Sequence, residues 1–309
     1  MTAFFETEER PIRLTLFGKT DPGRKRSENQ DCFLVLELRA AEAGPGFRLG
    51  PTIDEPGQAE SARFALGPKG LLAMVADGMG GAAGGATASR LAVETVHEVL
   101  ASAWAAERNH SPRCFADRLR LALEAANARI HAAAGADPGL QGMGTTATAV
   151  GFLDGTFYLA QVGDSRAYLV RDGRAVQLTR DQSVLQELIE AGAIQAEAEA
   201  SGVGNMILQA LGTNPQVSVD LTYQEARRGD VLVVCSDGLY RVVAPAELAA
   251  AVTQVPDPHS LCEALIDLAN DRGAPDNVTV VVAHVDGEGL EIARPGDAVG
   301  RLPLALPRD

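Results

Sequence analysis

Nowhere in the 309 residues is there a run of about 18 uninterrupted apolar side chains, so the sequence offers no segment of the length a membrane-spanning helix needs. Glu6, Glu8 and Glu9 stand where a secretory leader would carry basic charge and an apolar stretch, which predicts a cytoplasmic protein with no membrane partner. Positive charge is short as well: 27 Lys and Arg face 41 Asp and Glu, for a formal net charge of -14. A surface of that sign repels nucleic acid and anionic lipid, and it leaves an anionic substrate dependent on local cations. The four cysteines (Cys32, Cys114, Cys235, Cys262) form no C-x-x-C pair, and two lie inside apolar runs, so they read as reduced core thiols. His97, His110, His131, His259 and His284 lack metal-ligand spacing. No internal repeat is visible, and 46% hydrophobic residues are ample for one sizeable core.

What is present is a set of strand-like and helix-like runs. Residues 34–38 alternate, and 71–76 are continuously apolar up to Asp77, as expected of a strand buried on both faces. Residues 86–106 carry apolar side chains at helical spacing, and Pro112 opens a second helix with Phe115, Leu119, Leu123 and Ile130. Between 145 and 178 three alternating runs are separated by Asp154-Gly155 and Asp172-Gly173, which favour tight hairpin turns and predict an antiparallel meander. Residues 181–200 read as helical, 201–205 as a mobile flap, 231–235 and 278–285 as strands flanking a helix at 259–270. The Gly-, Pro- and Glu-rich stretch 41–69 reads as a long surface loop or hairpin. The unpatterned tail from 286 reads as disordered. Antiparallel strands interleaved with paired helices predict an α+β domain with helices on the outer faces of the sheets.

Five acidic clusters punctuate these runs: Asn29-Gln30-Asp31, Asp77-Gly78-Met79-Gly80-Gly81, Gly163-Asp164-Ser165-Arg166, Ser236-Asp237-Gly238 and Asp276-Asn277. Singly they have ordinary explanations: Asp154 and Asp172 form turns, Asp164 could bond nearby amides, and Asp276-Asn277 could be an Asx turn. Asp77, Asp237 and Asp276, however, each sit at the edge of a strongly apolar strand, where converging carboxylates would repel without a cation. Oxygen ligands of this kind suit a hard divalent ion. Two rival readings are a dinucleotide loop at Gly78-Met79-Gly80 with Ala83, disfavoured by Asp77 beside the pyrophosphate position, and a phosphate loop at Gly18-Lys19-Thr20, which lacks its upstream glycine because Arg13 stands there.

The ordered set Arg26 to Asp31, Ala76 to Gly81, Gly142-Met143-Gly144-Thr145-Thr146, Val162 to Arg166, Ser236 to Leu239 and Asp276-Asn277-Val278-Thr279 resembles the bacterial branch of the metal-dependent, type 2C serine/threonine protein phosphatases. The resemblance spans roughly residues 17–285. It implies a four-layer α-β-β-α sandwich, two antiparallel sheets face to face with helices outside, forming one catalytic domain over 1–285 with an insert at 41–69, a flap at 181–214 and a tail at 286–309. It also implies two ions, Mg2+ or Mn2+: Asp77 would bridge them, the Gly78 carbonyl would ligate one, Asp237 and Asp276 the other, and Asp31 would hold metal-bound water. A hydroxide shared by the ions would attack phosphoserine or phosphothreonine directly, with Arg26 gripping the phosphate. Asp137 and Gln141 are the nearest candidates for a third ion. The implied partners are phosphorylated proteins made by a serine/threonine kinase; oligomeric state is not legible. Met79 stands where some relatives carry a proton-donating histidine, Gln30 where glutamate is common, and Asp181-Gln182-Ser183 where bacterial relatives show Asp-His-Ser. A catalytically silent phosphoprotein binder is the rival from another class, and retention of every implied ligand argues against it.

Overall fold

In the computed structural model, which describes residues 11–43, 48–50, 62–193, 206–294 and 296–305, the apolar runs become strands of two antiparallel sheets. The first half of the chain supplies β1 (Ile12–Asp21), β2 (Asp31–Glu37), β3 (Arg48–Leu49), β4 (Ala62–Ala65) and β5 (Leu71–Met79), then helices α1 (Gly81–Val99) and α2 (Pro112–Ala136). Next come β6 (Gly144–Thr145), β7 (Ala147–Leu153), β8 (Thr156–Val162), β9 (Arg166–Arg171), β10 (Arg174–Gln177) and α3 (Val184–Glu190). The chain finishes with β11 (Asp220–Glu225), β12 (Val231–Cys235), α4 (Asp237–Tyr240), α5 (Pro245–Gln254), α6 (Pro258–Asp271), β13 (Val278–Gly287) and β14 (Leu302–Pro303).

One sheet has the order β10-β9-β12-β13-β1-β4, the other β14-β11-β8-β7-β5-β2-β3, with β6 paired to β5. Their inner faces meet through Leu16, Val75, Val150, Leu159, Leu232 and Val281, all buried. The continuous apolar run of β5 has the reason expected of it: Leu71, Ala73 and Val75 face the other sheet, while Leu72 and Met74 face the helices. α1 and α2 cover that outer face with Val93, Val96, Phe115 and Leu119, and α5 and α6 cover the opposite one with Leu248, Leu261 and Leu265. Each such fully buried side chain contributes about 1.5–3 kcal/mol. The four-layer α-β-β-α sandwich is the observed architecture.

Several local expectations change. α1 begins at Gly81, five residues before the periodic pattern does, behind Gly80 at φ 109. A glycine-rich start has low helix propensity, and tertiary packing overrides it. The helix then loosens into a π turn over Leu100–Trp104, where the buried Trp104 indole donates to the Lys69 carbonyl at 2.8 Å and the Lys69 ammonium donates to the Trp104 carbonyl at 2.7 Å. The Asp-Gly turns are real, with Asp154 at φ 47 and Asp172 at φ 49. They close β7–β8 and β9–β10, but β8 and β9 do not pair, so the predicted meander is two hairpins on different sheets. The chain crosses between sheets at Gly163, which has φ 97; strand partners are chosen nonlocally, and no local pattern reports them.

The 41–69 insert is partly strand: β3 extends one sheet beside β2, and β4 extends the other beside β1. Residues 51–61 lie outside the described ones, as do 194–205, which include the segment read as a flap. Within 181–193, α3 is capped by Ser183, whose hydroxyl accepts from the Gln186 amide, and ends before Gly192 at φ 68. The described part of the tail, 286–294 and 296–305, is placed where disorder was expected: Leu290 is buried in the core between the sheets, Arg227 pairs with Asp297 at 3.0 Å, and β14 adds to β11. One apolar anchor and a few backbone bonds fix a segment that has no periodicity to read. The four cysteines are free, three of them buried. Among the described residues no helix is long and apolar enough to cross a membrane.

Candidate metal centre

Asp31 opens β2 and Asp77 lies directly opposite it on β5, so the strand register alone brings two carboxylates together at one end of the sheet. The Gly-Thr-Thr motif holds the Asp77 backbone: Thr146 Oγ1 accepts from its amide at 3.0 Å, and its carbonyl accepts from the Thr145 hydroxyl at 2.9 Å and the Thr146 amide at 2.8 Å. Asn277 does the same for the loop before β2. Its Oδ1 accepts from the Gln30 amide, and its Nδ2 donates to the carbonyls of Pro22 and Glu28, each at 2.9 Å. That loop carries Arg26, whose Nη2 donates to Asp276 Oδ2 at 2.7 Å. Many of the motif residues are therefore scaffolding for their acidic neighbours.

Gly78 follows Asp77 where two backbones pass close by. A Cβ there would overlap the carbonyl oxygens of Gly85 and Gln30, so only glycine admits this approach. Gly78→Ala is expected to cost about 1–3 kcal/mol through overpacking and to pull Asp77 out of register with Asp31. Thermal unfolding of the variant with and without Mn2+ checks this; a wild-type melting temperature would show that the approach is not tight.

Arg26, Asp77, Gly78, Asp237, Arg241 and Asp276 all line one cavity of about 530 Å³. Asp31 is buried behind its wall, where Oδ2 accepts from Ser236 Oγ and Thr279 Oγ1, both at 2.7 Å. Asp164, at the crossing between sheets, is buried within electrostatic reach of Asp237 and Asp77, and its Oδ2 accepts from the Tyr240 hydroxyl at 3.1 Å. Asp237 Oδ2 pairs with Arg241 Nη2 at 2.5 Å. Among the described residues, Oδ1 of Asp31, Asp164 and Asp237 is in each case buried with no hydrogen-bond partner.

Burial is the main force on these groups. It pushes the Asp31 carboxyl up to about 7 against the help of Ser236 and Thr279, and Asp237 up to about 7 against Arg241. Asp77 is held well above the usual carboxylate range by burial and then by Asp31, Asp237 and Asp164. Asp164 is raised by burial and then by Asp181. Packing alone gives no reason to sequester so many acids, and a buried carboxylate oxygen left unpaired is costly.

Among the described residues no three Asp, Glu, His or Cys side chains close into a ready cage; Asp237 and Asp276 lean on Arg241 and Arg26 instead. The donor set nevertheless suits divalent cations. It is all oxygen, three of its carboxylate oxygens are free and buried, and the Gly78 backbone borders the same cavity.

Asp137 and Gln141 are not among the residues that line this cavity. Asp137 Oδ1 caps a short turn by accepting from the Gly139 amide at 2.8 Å, and Gln141 is exposed at a separate crevice beside His131 and Gly212. Gly142, next to Gln141, does pack against Gly80 at the rim of the acidic cavity. Sequence reasoning gave Asp164 only a bond to nearby amides and no role to Tyr240 or Arg241. Asp164 was visible within Gly163-Asp164-Ser165-Arg166, but only the sheet crossing shows that it turns toward the other acids.

Comparison with known proteins agrees with this arrangement. The family profile for protein phosphatase 2C matches residues 59–267. The serine/threonine protein phosphatase PstP of Mycobacterium tuberculosis is 40% identical over 216 residues, 70% of this chain and 40% of that protein. The chain thus spans well under half the length of PstP. Protein phosphatase PhpP of Streptococcus pneumoniae is 33% identical over 273 residues, 88% of this chain and 98% of that one. A crystal structure of the catalytic domain of PstP in complex with two manganese ions superposes with a TM-score of 0.69 at 32% identity, covering 89% of this chain and 99% of that one.

Proposed function

This chain belongs to the protein phosphatase 2C family, and from that premise we propose that it hydrolyses phosphoserine and phosphothreonine monoesters in proteins with the help of divalent cations. The observation that carries the reading is the set of free, buried carboxylate oxygens beside a cavity that also exposes the Arg26 guanidinium. Asp77, the Gly78 carbonyl, Asp237 and Asp276 would hold two ions, Mg2+ or Mn2+, with Asp31 behind them. When bound, such ions make water nucleophilic near neutral pH and neutralise phosphoryl charge.

The chain's own groups do the rest. Arg26 is 57% exposed, so its guanidinium can exchange Asp276 for two oxygens of an incoming phosphate. Asp31 is fixed by two hydroxyls and keeps one oxygen for a proton or a water. Met79 cannot donate a proton to the departing alkoxide, so solvent in the open cavity supplies it. A cysteinyl-phosphate route is unsupported, because Cys235 is buried and its thiol is pushed up to about 12. The partners are accordingly phosphorylated proteins produced by a serine/threonine kinase, met in the cytoplasm.

Purified protein assayed on a phosphothreonine peptide with EDTA, Mg2+ or Mn2+ tests the proposal. Phosphate release that requires a cation and is abolished in Asp77→Asn is the expected result. Absence of release with either cation, from protein shown to be folded, would overturn it in favour of a silent phosphoprotein binder.

A further inference from the structure

Three buried aspartates of the centre share one arrangement, in which a neighbour holds one carboxylate oxygen and the other has no partner among the described residues. Ser236 and Thr279 hold Asp31, Arg241 holds Asp237, and Tyr240 holds Asp164. Ser236, Tyr240 and Arg241 all come from the short segment around α4 that also carries Asp237. Tyr240 is the holder with the most elaborate support. Its ring lies under the Arg166 guanidinium at 3.7 Å, and that guanidinium is gripped by Asp181, from Nε to Oδ1 at 3.0 Å and from Nη2 to Oδ2 at 2.7 Å. The residue after Asp181 reaches back to Asp164's neighbour, as the Gly163 amide donates to Gln182 Oε1 at 2.8 Å. Ring and carboxylate are thus anchored to the same short stretch before α3.

We propose that Tyr240 is a positioning residue of the metal centre, whose hydroxyl turns Asp164 so that one carboxylate oxygen is held and the other is left free for a divalent cation beside Asp237. Tyr240 does not line the cavity, so it does not touch substrate and acts through Asp164. The stacked Arg166 keeps the ring from rotating and so fixes the direction in which the hydroxyl points. The inference rests on the reading that the centre holds divalent cations, and hydrogen-bond partners of ligands typically govern cation affinity by about 10–100-fold.

The test compares wild type, Tyr240→Phe, Asp164→Asn and the double variant, as full chains stripped of metal and titrated with Mn2+ by calorimetry. Tyr240→Phe keeps the stacked ring and removes the hydroxyl, which bonds Asp164 and also reaches Arg241. Its Mn2+ dissociation constant is expected to rise about tenfold. The Mn2+ concentration for half-maximal phosphate release should rise equally, with turnover at saturating Mn2+ within about twofold of wild type. The double variant should bind no more weakly than Asp164→Asn alone, since Tyr240 acts through that residue. Unchanged Mn2+ affinity in Tyr240→Phe, or losses that add in the double variant, would overturn the proposal. Should Tyr240→Phe fail to fold, Asp164→Asn decides: Mn2+ binding like wild type there overturns it equally. Calorimetry needs no turnover, so a wild type that binds Mn2+ but releases no phosphate would refute the phosphatase reading and leave this one standing.

Discussion

Asp237→Asn is expected to lower cation-dependent phosphate release by a factor on the order of 10³ while leaving the fold intact. The side chain opens α4, keeps one buried oxygen free and pairs the other with Arg241. Asparagine has the same shape but no charge, so it weakens the grip on a divalent ion without leaving a void. The metal-free variant should also melt no lower than wild type at pH 7.5. Burial penalises the Asp237 carboxylate, Asp164 and Asp276 repel it, and Arg241 is 30% exposed and can turn to water once its partner is gone. Phosphate assay and thermal unfolding with and without Mn2+ give a paired signature: lost activity, lost cation response, retained stability. Wild-type turnover with an unaltered cation requirement would remove Asp237 from the ligand set.

The second large effect links cation, pH and stability. Asp31 and Asp237 have folded-state values raised to about 7, so across pH about 4 to about 7 the folded chain retains protons that the unfolded chain has released. Their contribution favours folding at the acid end of that window and is lost as pH rises through it. The salt-bridged surface acids Glu190 and Glu247, both lowered to about 2, work in the opposite direction, but below the ordinary glutamate value. His97 and His284, lowered by burial, oppose the trend within the window and are outnumbered by the raised acids Asp31, Asp77, Asp164 and Asp237. Metal-stripped protein should therefore melt at lower temperature at pH 7.5 than at pH 5.5. Mn2+ binds the ionised carboxylates, so its stabilising effect should grow over the same interval, reaching about 2.7 kcal/mol at a hundredfold excess over its dissociation constant. Melting curves at the two pH values, with EDTA or Mn2+, measure both trends. A Mn2+ shift that shrinks as pH rises would mean that the buried acids are not where the cation binds.

How much of this was legible depended on whether the cause was local. The run 71–76 ending at Asp77 announced a doubly buried strand with a carboxylate at its tip, and Asp154-Gly155 and Asp172-Gly173 announced their turns through the left-handed conformation they adopt. Asp77, Asp237 and Asp276 stood out as carboxylates at strand edges, and Arg26 and Gly78 only through the family resemblance, and the structure places all five around one cavity. The choice of partner for β8 and β9 could not be read, because pairing is decided by strands far away in sequence. Nor could the early start of α1, since Gly81 and Gly85 disfavour a helix that packing then imposes. Tyr240 escaped notice for a related reason: nothing about a tyrosine three residues after Asp237 says that it reaches an aspartate at position 164.

The order of strands bears on how copies of the chain meet one another in solution. Among the described residues both sheets finish on short strands: β10 and β4 have four residues each, and β14 and β3 have two. A long unpaired edge is a template for joining a neighbouring chain, and short ends give it little to hold. Three of the four end strands come from stretches whose composition suggested loop or tail. The insert and the C-terminal segment thus act as bumpers, keeping the six-residue β11 and the apolar seven-residue β2 from serving as seeds for aggregation.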